Sequence, residues 1–130
     1  MKILLISSDP KVRDAMAAIM RSVKRSTGEE PEFLEARDGI RGIALAWRHV
    51  PDVVVADEIA SRAGAFAVAR DLKNADPQFP GRVIIFLDRR HDEWLARWSG
   101  ADAWFVKPVN PFEIADTVAG FVGDDKREAV

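Results

Sequence analysis

Short, uninterrupted apolar runs alternate along this chain with longer segments whose apolar residues recur every three or four positions. Such runs cover residues 3–6, 53–56, 83–87 and 103–106. A solid run of four or five apolar residues is typical of a strand that is covered on both faces of a parallel sheet. The longer segments predict amphipathic helices, and residues 31–36 form a weaker strand candidate. The chain therefore predicts five strands alternating with five helices.

Strands that alternate with helices favour an α/β fold with helices on both faces of the sheet. The predicted fold is the flavodoxin-like doubly wound (βα)5 arrangement, a five-stranded parallel sheet of strand order 2-1-3-4-5. Asp9 followed by Pro10 predicts the start of the first helix, with Asp9 as its N-cap. The last apolar stripe ends at Val122, which divides the chain into a domain of residues 1–122 and a short polar tail of residues 123–130.

The tryptophans also carry predictions about packing. Trp94 and Trp98 are four residues apart on the fourth predicted helix, so we expect them to share a face that points into the core. Trp47 is expected to do the same on the second helix. Trp104 lies on the presumed edge strand and is expected to be partly exposed.

Composition limits the classes of function. A chain of 130 residues fits one domain, and its net charge of −2 gives no overall attraction to nucleic acid or to an anionic membrane. The chain has no cysteine, which excludes disulfides, thiol catalysis and zinc–thiolate sites. The apolar run after Lys2 is too short for a signal peptide or a membrane span, so a cytoplasmic location is expected.

Polar side chains follow the strands at the points where they end. The first strand ends in Ser7, Ser8 and Asp9, and the later strands end in Asp57, Asp88 and Lys107. In a doubly wound sheet, ligands bind in the crevice outside the carboxyl ends of the strands, so these groups are expected to converge there. Each one alone has an ordinary explanation: a helix cap, a solvated loop residue or an edge-strand charge. The isomer of the Lys107–Pro108 bond stays open.

At these residues the chain resembles the receiver domains of response regulators in two-component phosphorelay signalling, over nearly its whole length. The matching segments are PDVVVAD (51–57), EARDGIRGIALA (35–46), GAFAVARDLK (64–73) and SGADAWFVKPVNPFEI (99–114), and the last is the most specific. The resemblance implies that Asp57 occupies the phosphoacceptor position of a phosphoprotein. It also implies that Lys107 contacts the phosphoryl group and that Trp104 is the switch aromatic.

The same resemblance exposes three departures. Family members usually carry two acidic residues at the positions of Ser7 and Ser8, and those acids bind a divalent metal together with the phosphoacceptor. Serine hydroxyls are neutral and much poorer ligands for Mg²⁺. Asp88 stands where the family has Thr or Ser, and an ionised carboxylate cannot donate a hydrogen bond to phosphate. The third departure, Ser61 in place of a proline, is mild.

These departures predict an atypical receiver with a degenerate acidic pocket, no cofactor and no enzyme activity of its own. We expect it to act as a stand-alone module with weak or no Mg²⁺-dependent phosphorylation. Its partner would be a sensor kinase or an effector in trans, bound through the face made by the fourth helix, the fifth strand and the fifth helix. Binding to nucleic acid by itself or to a membrane is not expected, and a homodimer stays open.

Two other functions are left open by the sequence. One is a conventional receiver phosphorylated on Asp57 by a histidine kinase, with Asp9 and Asp57 as Mg²⁺ ligands. The other is a flavin or nucleotide binder of the same fold, with Ser7 and Ser8 as phosphate-binding hydroxyls. Against the latter, Pro10 lacks an N–H at the helix N-terminus, Asp9 adds negative charge there, and the chain has no glycine-rich loop.

Overall fold

A computed structural model of the chain describes residues 1–58 and 64–128, with side chains to residue 125, so Ser61 lies outside the described residues. All strand pairs are parallel, and the strand order is β2-β1-β3-β4-β5. The strands are β1 (Lys2–Ile6), β2 (Glu32–Ala36), β3 (Val53–Asp57), β4 (Arg82–Leu87) and β5 (Ala103–Val106). This topology confirms the predicted doubly wound sheet.

The described residues form six helices and one short 3-10 turn. The helices are α1 (Pro10–Met20), α2 (Val23–Thr27), α3 (Gly39–His49), α4 (Ala65–Lys73), α5 (Glu93–Ser99) and α6 (Pro111–Glu128), and the 3-10 turn covers Arg90–Asp92. The count exceeds the predicted five because the first predicted helix is divided into α1 and α2. The fourth and fifth predicted helices are therefore α5 and α6. No helix within residues 1–58 and 64–128 has the length and apolar character needed to cross a membrane.

The division between α1 and α2 places α2 against α6. The Ser22 hydroxyl donates a hydrogen bond to the carbonyl of Pro111 (3.0 Å), and the Ser26 hydroxyl donates one to the carbonyl of Ala115 (2.8 Å). Val23 is fully buried at the start of α2. The apolar periodicity runs on through the break, so the sequence pattern alone reads as one helix.

The core has two layers, one on each face of the sheet. Alternate strand residues point to opposite faces, so Leu4 packs in one layer and Ile3 and Leu5 pack in the other. All three are fully buried. Asp9 accepts a hydrogen bond from the backbone N–H of Lys11 (2.8 Å), which confirms that it caps α1. The cap of α1 and the two core layers hold the strands in register. They therefore position the polar groups that follow the strands.

The prediction that Trp94 and Trp98 face the core is wrong. They are 62% and 53% exposed, whereas Ala96 and Ser99 on the opposite side of α5 are fully buried. The Ser99 hydroxyl donates to the carbonyl of Ala96 (2.6 Å), so its polar group is satisfied inside the helix. Small residues turn inward because α5 packs closely against α4 and β5, and the large rings are left on the outer side.

The other two tryptophans differ from each other. Trp47 is 40% exposed, although its ring meets the buried Phe79 edge-on with the centroids 5.4 Å apart. The predicted core position of Trp47 is therefore only partly correct, and Ile40 on the same helix is 53% exposed. Trp104 is half-buried on the edge strand, as predicted.

At the amino-terminal edge of the sheet, α6 continues past Val122 to Glu128, further than the apolar stripe indicates. Arg82, the first residue of β4, donates to Asp125 (2.6 Å) and its guanidinium lies 5.0 Å from the centre of the Phe121 ring. Met1, Phe121 and Asp125 line one shallow groove at this edge. The division of the chain at residue 122 stays a prediction.

Candidate functional site

Three charged side chains converge at the carboxyl edge of the sheet. Asp57 is the last residue of β3, Asp88 follows β4 and Lys107 follows β5. These strands are neighbours and parallel, so their ends lie side by side. The Lys107 ammonium donates to Asp57 Oδ1 and to Asp88 Oδ1, the second at 2.9 Å. One cation therefore bridges two of the carboxylates that the sequence predicts at this edge, and the Lys107–Pro108 peptide bond is cis.

The cluster has an excess of negative charge and is partly shielded from water. The Asp57 side chain is 6% exposed, against 28% for Asp88 and 32% for Lys107. Burial lowers the pKa of Lys107, but its hydrogen bonds to Asp57 and Asp88 and their negative charges outweigh burial, so the pKa is raised above its ordinary value. Asp88 Oδ2 is buried and has no hydrogen-bond partner within the described parts of the chain.

The end of β1 supplies no further acid at the positions of the two serines. Ser7 is buried, and its hydroxyl accepts from the backbone N–H of Asp9 (3.3 Å), whereas Ser8 is exposed. One Asp9 carboxylate oxygen is occupied as the cap of α1. The guanidinium of Arg13 donates to the carbonyl of Ser7 (2.6 Å) and pairs with Glu35 (3.0 Å), which brings a cation to this strand end.

Few oxygens of the described side chains are free to hold a divalent metal at this edge. Mg²⁺ is held by carboxylate, carbonyl and water oxygens. Here the Asp57 carboxylate is bound by an ammonium and the Ser7 hydroxyl already accepts a backbone N–H. Across residues 1–58 and 64–128, no group of three or more His, Asp or Glu side chains is arranged to hold a metal ion.

Sequence reasoning missed two carboxyl groups beside this cluster. Glu58 accepts a hydrogen bond from the backbone N–H of Asp88, and its carboxyl shares a hydrogen bond with Asp92. Burial, the hydrogen bond to Asp92 and the charges of Asp92 and Asp88 raise the pKa of Glu58, although the Asp88 N–H opposes them. The hydrogen bond from Glu58 and electrostatic interactions with His91 and Arg89 lower the pKa of Asp92 despite its burial.

The two shifts have opposite directions, so of the pair Glu58 keeps its proton to the higher pH. The pair ties the end of β3 to the turn that precedes α5. The signal for Glu58 was present in the sequence, because it directly follows Asp57 at a strand end. Asp92 carried no such signal, since it lies among charged residues that read as a solvated loop.

Trp104 lies three residues before Lys107 on β5. The guanidinium of Arg97 is 5.6 Å from the centre of its ring, so an α5 side chain covers this half-buried aromatic. The backbone N–H of Lys107 donates to the carbonyl of Leu87 (2.8 Å), which fixes the register at the end of the edge strand. The described structure brings Asp57, Asp88 and Lys107 into contact. Trp104 lies outside this contact, on β5, the strand that leads to Lys107.

The chain is similar in sequence to known response regulators. An uncharacterized response regulatory protein of Mycobacterium tuberculosis is 29% identical over 121 residues, which cover 91% of this chain and 88% of the relative. The polar-differentiation response regulator DivK of Brucella anthropi is 25% identical over 95 residues, 72% of this chain and 77% of that protein. No model of a protein family matches the chain.

Among solved structures, the signal receiver domain of a DNA-binding response regulator from Colwellia psychrerythraea superposes with a TM-score of 0.79. It is 19% identical, and the match covers 95% of this chain and 98% of that one. A sequence identity of 19% supports a shared fold alone. The sequence relatives and the fold agree with the resemblance carried by residues 51–57 and 99–114.

Proposed function

The chain is a homologue of response regulators with the fold of their receiver domains, and we propose that it is an atypical receiver of two-component signalling that works without Mg²⁺-dependent phosphorylation. In this proposal Asp57 holds the phosphoacceptor position and Trp104 the switch position. The proposed pocket around Asp57 consists of Ser7, Ser8, Asp9, Asp88 and Lys107.

The observation that carries the proposal is the bridge from Lys107 to both Asp57 and Asp88. A phosphoryl group on Asp57 would compete with Asp88 for this ammonium. It would also meet the charge of Asp88, where a hydroxyl would instead donate a hydrogen bond to it. At the end of β1 the two serines offer no carboxylate to hold a metal ion, and the cation there, Arg13, is already paired with Glu35, so the added negative charge would be poorly offset. The pocket therefore favours one state, in which Lys107 is already neutralised by the protein.

A receiver of this kind would act by binding a protein partner. We propose that a sensor kinase or an effector docks in trans on the face formed by α5, β5 and α6, where Trp104 and Arg97 lie. Cytoplasmic location, the absence of a cofactor and the absence of catalytic activity belong to the same proposal. A homodimer is compatible with it.

Labelling with a small phosphodonor tests the proposal. The protein is incubated with acetyl phosphate and Mg²⁺, and intact mass spectrometry measures the covalent phosphate adduct. We expect little or no adduct on the parent chain. The double variant Ser8→Asp with Asp88→Thr returns a metal ligand and a hydroxyl donor together, so it should be labelled, whereas each single variant should remain poorly labelled.

Asp57→Asn in the double variant is the control, and it should abolish the adduct because the acceptor carboxylate is lost. Efficient labelling of the parent chain at Asp57 would contradict the proposal. It would instead establish the conventional alternative, a receiver phosphorylated on Asp57 with unusual metal ligands.

A further inference from the structure

The outer surface of α5 and the turn before it has an unusual composition. Between residues 89 and 98, the exposed side chains are Arg89, Arg90, His91, Trp94, Arg97 and Trp98. The two acidic residues of this stretch are less accessible: Asp92 is buried and Glu93 is half-buried. A chain of net charge −2 thus presents a local surface on which the exposed side chains are basic or aromatic.

Part of this positive charge has no acidic partner. Arg89 pairs with Asp92 (3.5 Å) and Arg90 with Glu93 (3.7 Å). Arg97 on α5 and Arg70 on α4 have no carboxylate within 4.0 Å in the described parts of the chain, and each lies over a tryptophan ring instead. Uncompensated charge is therefore concentrated beside Trp98 and Trp104.

A groove runs between α4 and α5. It has a volume of about 580 Å³ and is lined by Gly64, Phe66, Ala67, Arg70, Asp71 and Trp98. Trp94 is one helical turn before Trp98 on the same face of α5, so it extends the aromatic wall. Among the described residues that line the groove, the one carboxylate is that of the exposed Asp71.

Arg70 and Trp98 hold each other in place across this groove. The guanidinium lies 4.5 Å from the centre of the Trp98 ring, and Nη1 donates to the carbonyl of Trp98 (3.0 Å). This bond uses one of the five N–H donors of the guanidinium. Because the pair is fixed before a partner arrives, less side-chain entropy is lost on binding. Tryptophan and arginine are also the residues most enriched among binding hot spots.

We propose that the groove between α4 and α5 binds an acidic segment of a partner protein, with Trp98 and Arg70 as its anchors. This inference rests on the proposed function, in which the chain acts by binding a protein partner. It assigns a chemistry to that partner and moves its contact to the α4 side of α5. Arg70 would pair with a partner carboxylate through its remaining donors. Trp94, Trp98 and Phe66 would cover an apolar side chain of the same segment.

A polypeptide fits this surface better than a single-stranded nucleic acid does. Nucleic-acid grooves of that kind follow a phosphate backbone with a continuous line of cations. Here Asp71 lies in the groove itself, and two of the arginines on the α5 side are already paired with carboxylates. A short segment with a carboxylate beside an apolar residue matches Arg70 and the exposed rings of the groove.

Selection from a random library of twelve-residue peptides displayed on phage tests the charge of the partner. The wild-type chain is the bait, the Trp98→Ala variant is used for depletion, and neither Mg²⁺ nor a phosphodonor is present. We expect the recovered peptides to be enriched in Asp and Glu and to be net negative. Recovered peptides of neutral or positive net charge would overturn the proposal.

The most enriched peptide is then synthesised and titrated against variants. Trp98→Ala and Arg70→Ala should each weaken binding by about tenfold or more, as expected for hot-spot residues. Phe112 and Arg25 form a matched pair elsewhere on the surface: Phe112 is exposed, and the Arg25 guanidinium lies 5.4 Å from the centre of its ring. The control variants Phe112→Ala and Arg25→Ala should leave the affinity for the peptide unchanged.

Equal affinity for the parent and both groove variants would refute the site. Tighter binding of a twelve-nucleotide oligo(dT), sensitive to the same two variants, would show a nucleic-acid surface and would also refute the proposal. Phosphate labelling at Asp57 is a separate measurement, so a failed proposed function and a failed docking site give different results.

Discussion

Replacing Lys107 with Met should destabilise the fold far more than removing an ordinary surface lysine. Met keeps most of the apolar length of the side chain but removes the ammonium that bridges Asp57 and Asp88. The two carboxylates would then face each other without a cation. Asp57, whose side chain is only 6% exposed, would have little access to water as a substitute.

The magnitude follows from distance and exposure. A charge pair about 3 Å apart attracts by about 5 kcal/mol at an effective dielectric constant of about 20. Exposed pairs contribute at most about 1 kcal/mol, whereas breaking a buried pair costs about 3–5 kcal/mol. Lys107 and Asp88 are each about one-third exposed, which lies between these limits. We therefore expect Lys107→Met to lower the free energy of unfolding by about 2–3 kcal/mol.

Urea unfolding followed by tryptophan fluorescence measures this loss at pH 7. The matched variant combines Lys107→Met with Asp57→Asn and Asp88→Asn, which removes both stranded charges and should restore most of the stability. In the parent chain the raised pKa of Lys107 gives a stabilising contribution that is complete below the ordinary value of 10.5 and is lost as the pH rises through the folded value. A loss below about 0.5 kcal/mol for Lys107→Met, or no recovery in the triple variant, would refute the reasoning.

Three smaller predictions concern other positions. Val50 is a β-branched residue in the left-handed region (φ 45°) and is 48% exposed, so Val50→Gly should raise the free energy of unfolding in urea by up to about 1 kcal/mol; an unchanged or lower free energy of unfolding would contradict this. Glu58→Gln imitates the protonated carboxyl that meets Asp92. The raised pKa of Glu58 makes its ionisation destabilising as the pH rises above 4.5, so the variant should gain less than about 1 kcal/mol at pH 8 and nothing at pH 4, and a gain that is larger at pH 4 would refute it. Gly42→Ala would place a methyl group against the buried side chain of Ile6 and should cost about 1–2 kcal/mol in thermal unfolding, whereas a stabilised variant would show that Ile6 can move aside.

The fold could be predicted from the sequence because its signals are local and agree with one another. Solid apolar runs define strands, and caps such as Asp9 fix where the helices begin. Once the strand order follows from these elements, the contact of Asp57, Asp88 and Lys107 is a geometric result: all three follow adjacent parallel strands. The residues that bridge were therefore foreseeable, although no sequence pattern specified which carboxylate oxygens would be used.

The remaining features depend on tertiary packing between helices and strands, which the sequence pattern does not specify. A spacing of four residues puts Trp94 and Trp98 on one face of a helix, but it does not say whether that face is the inner one. The packing of neighbouring elements settles it: the small side chains of Ala96 and Ser99 lie fully buried beneath α5, and the large rings lie outside. The break between α1 and α2 has a similar origin, in hydrogen bonds to α6 from residues distant in the sequence.

The groove that joins Met1 to Asp125 has a practical consequence for engineering this chain. Both of these residues lie at the amino-terminal edge of the sheet, on the far side from Lys107 and its carboxylates. A fluorophore attached at Asp125 would therefore lie at the opposite edge of the sheet from the charged cluster. It could report unfolding of the chain without touching Asp57, Asp88 or Lys107.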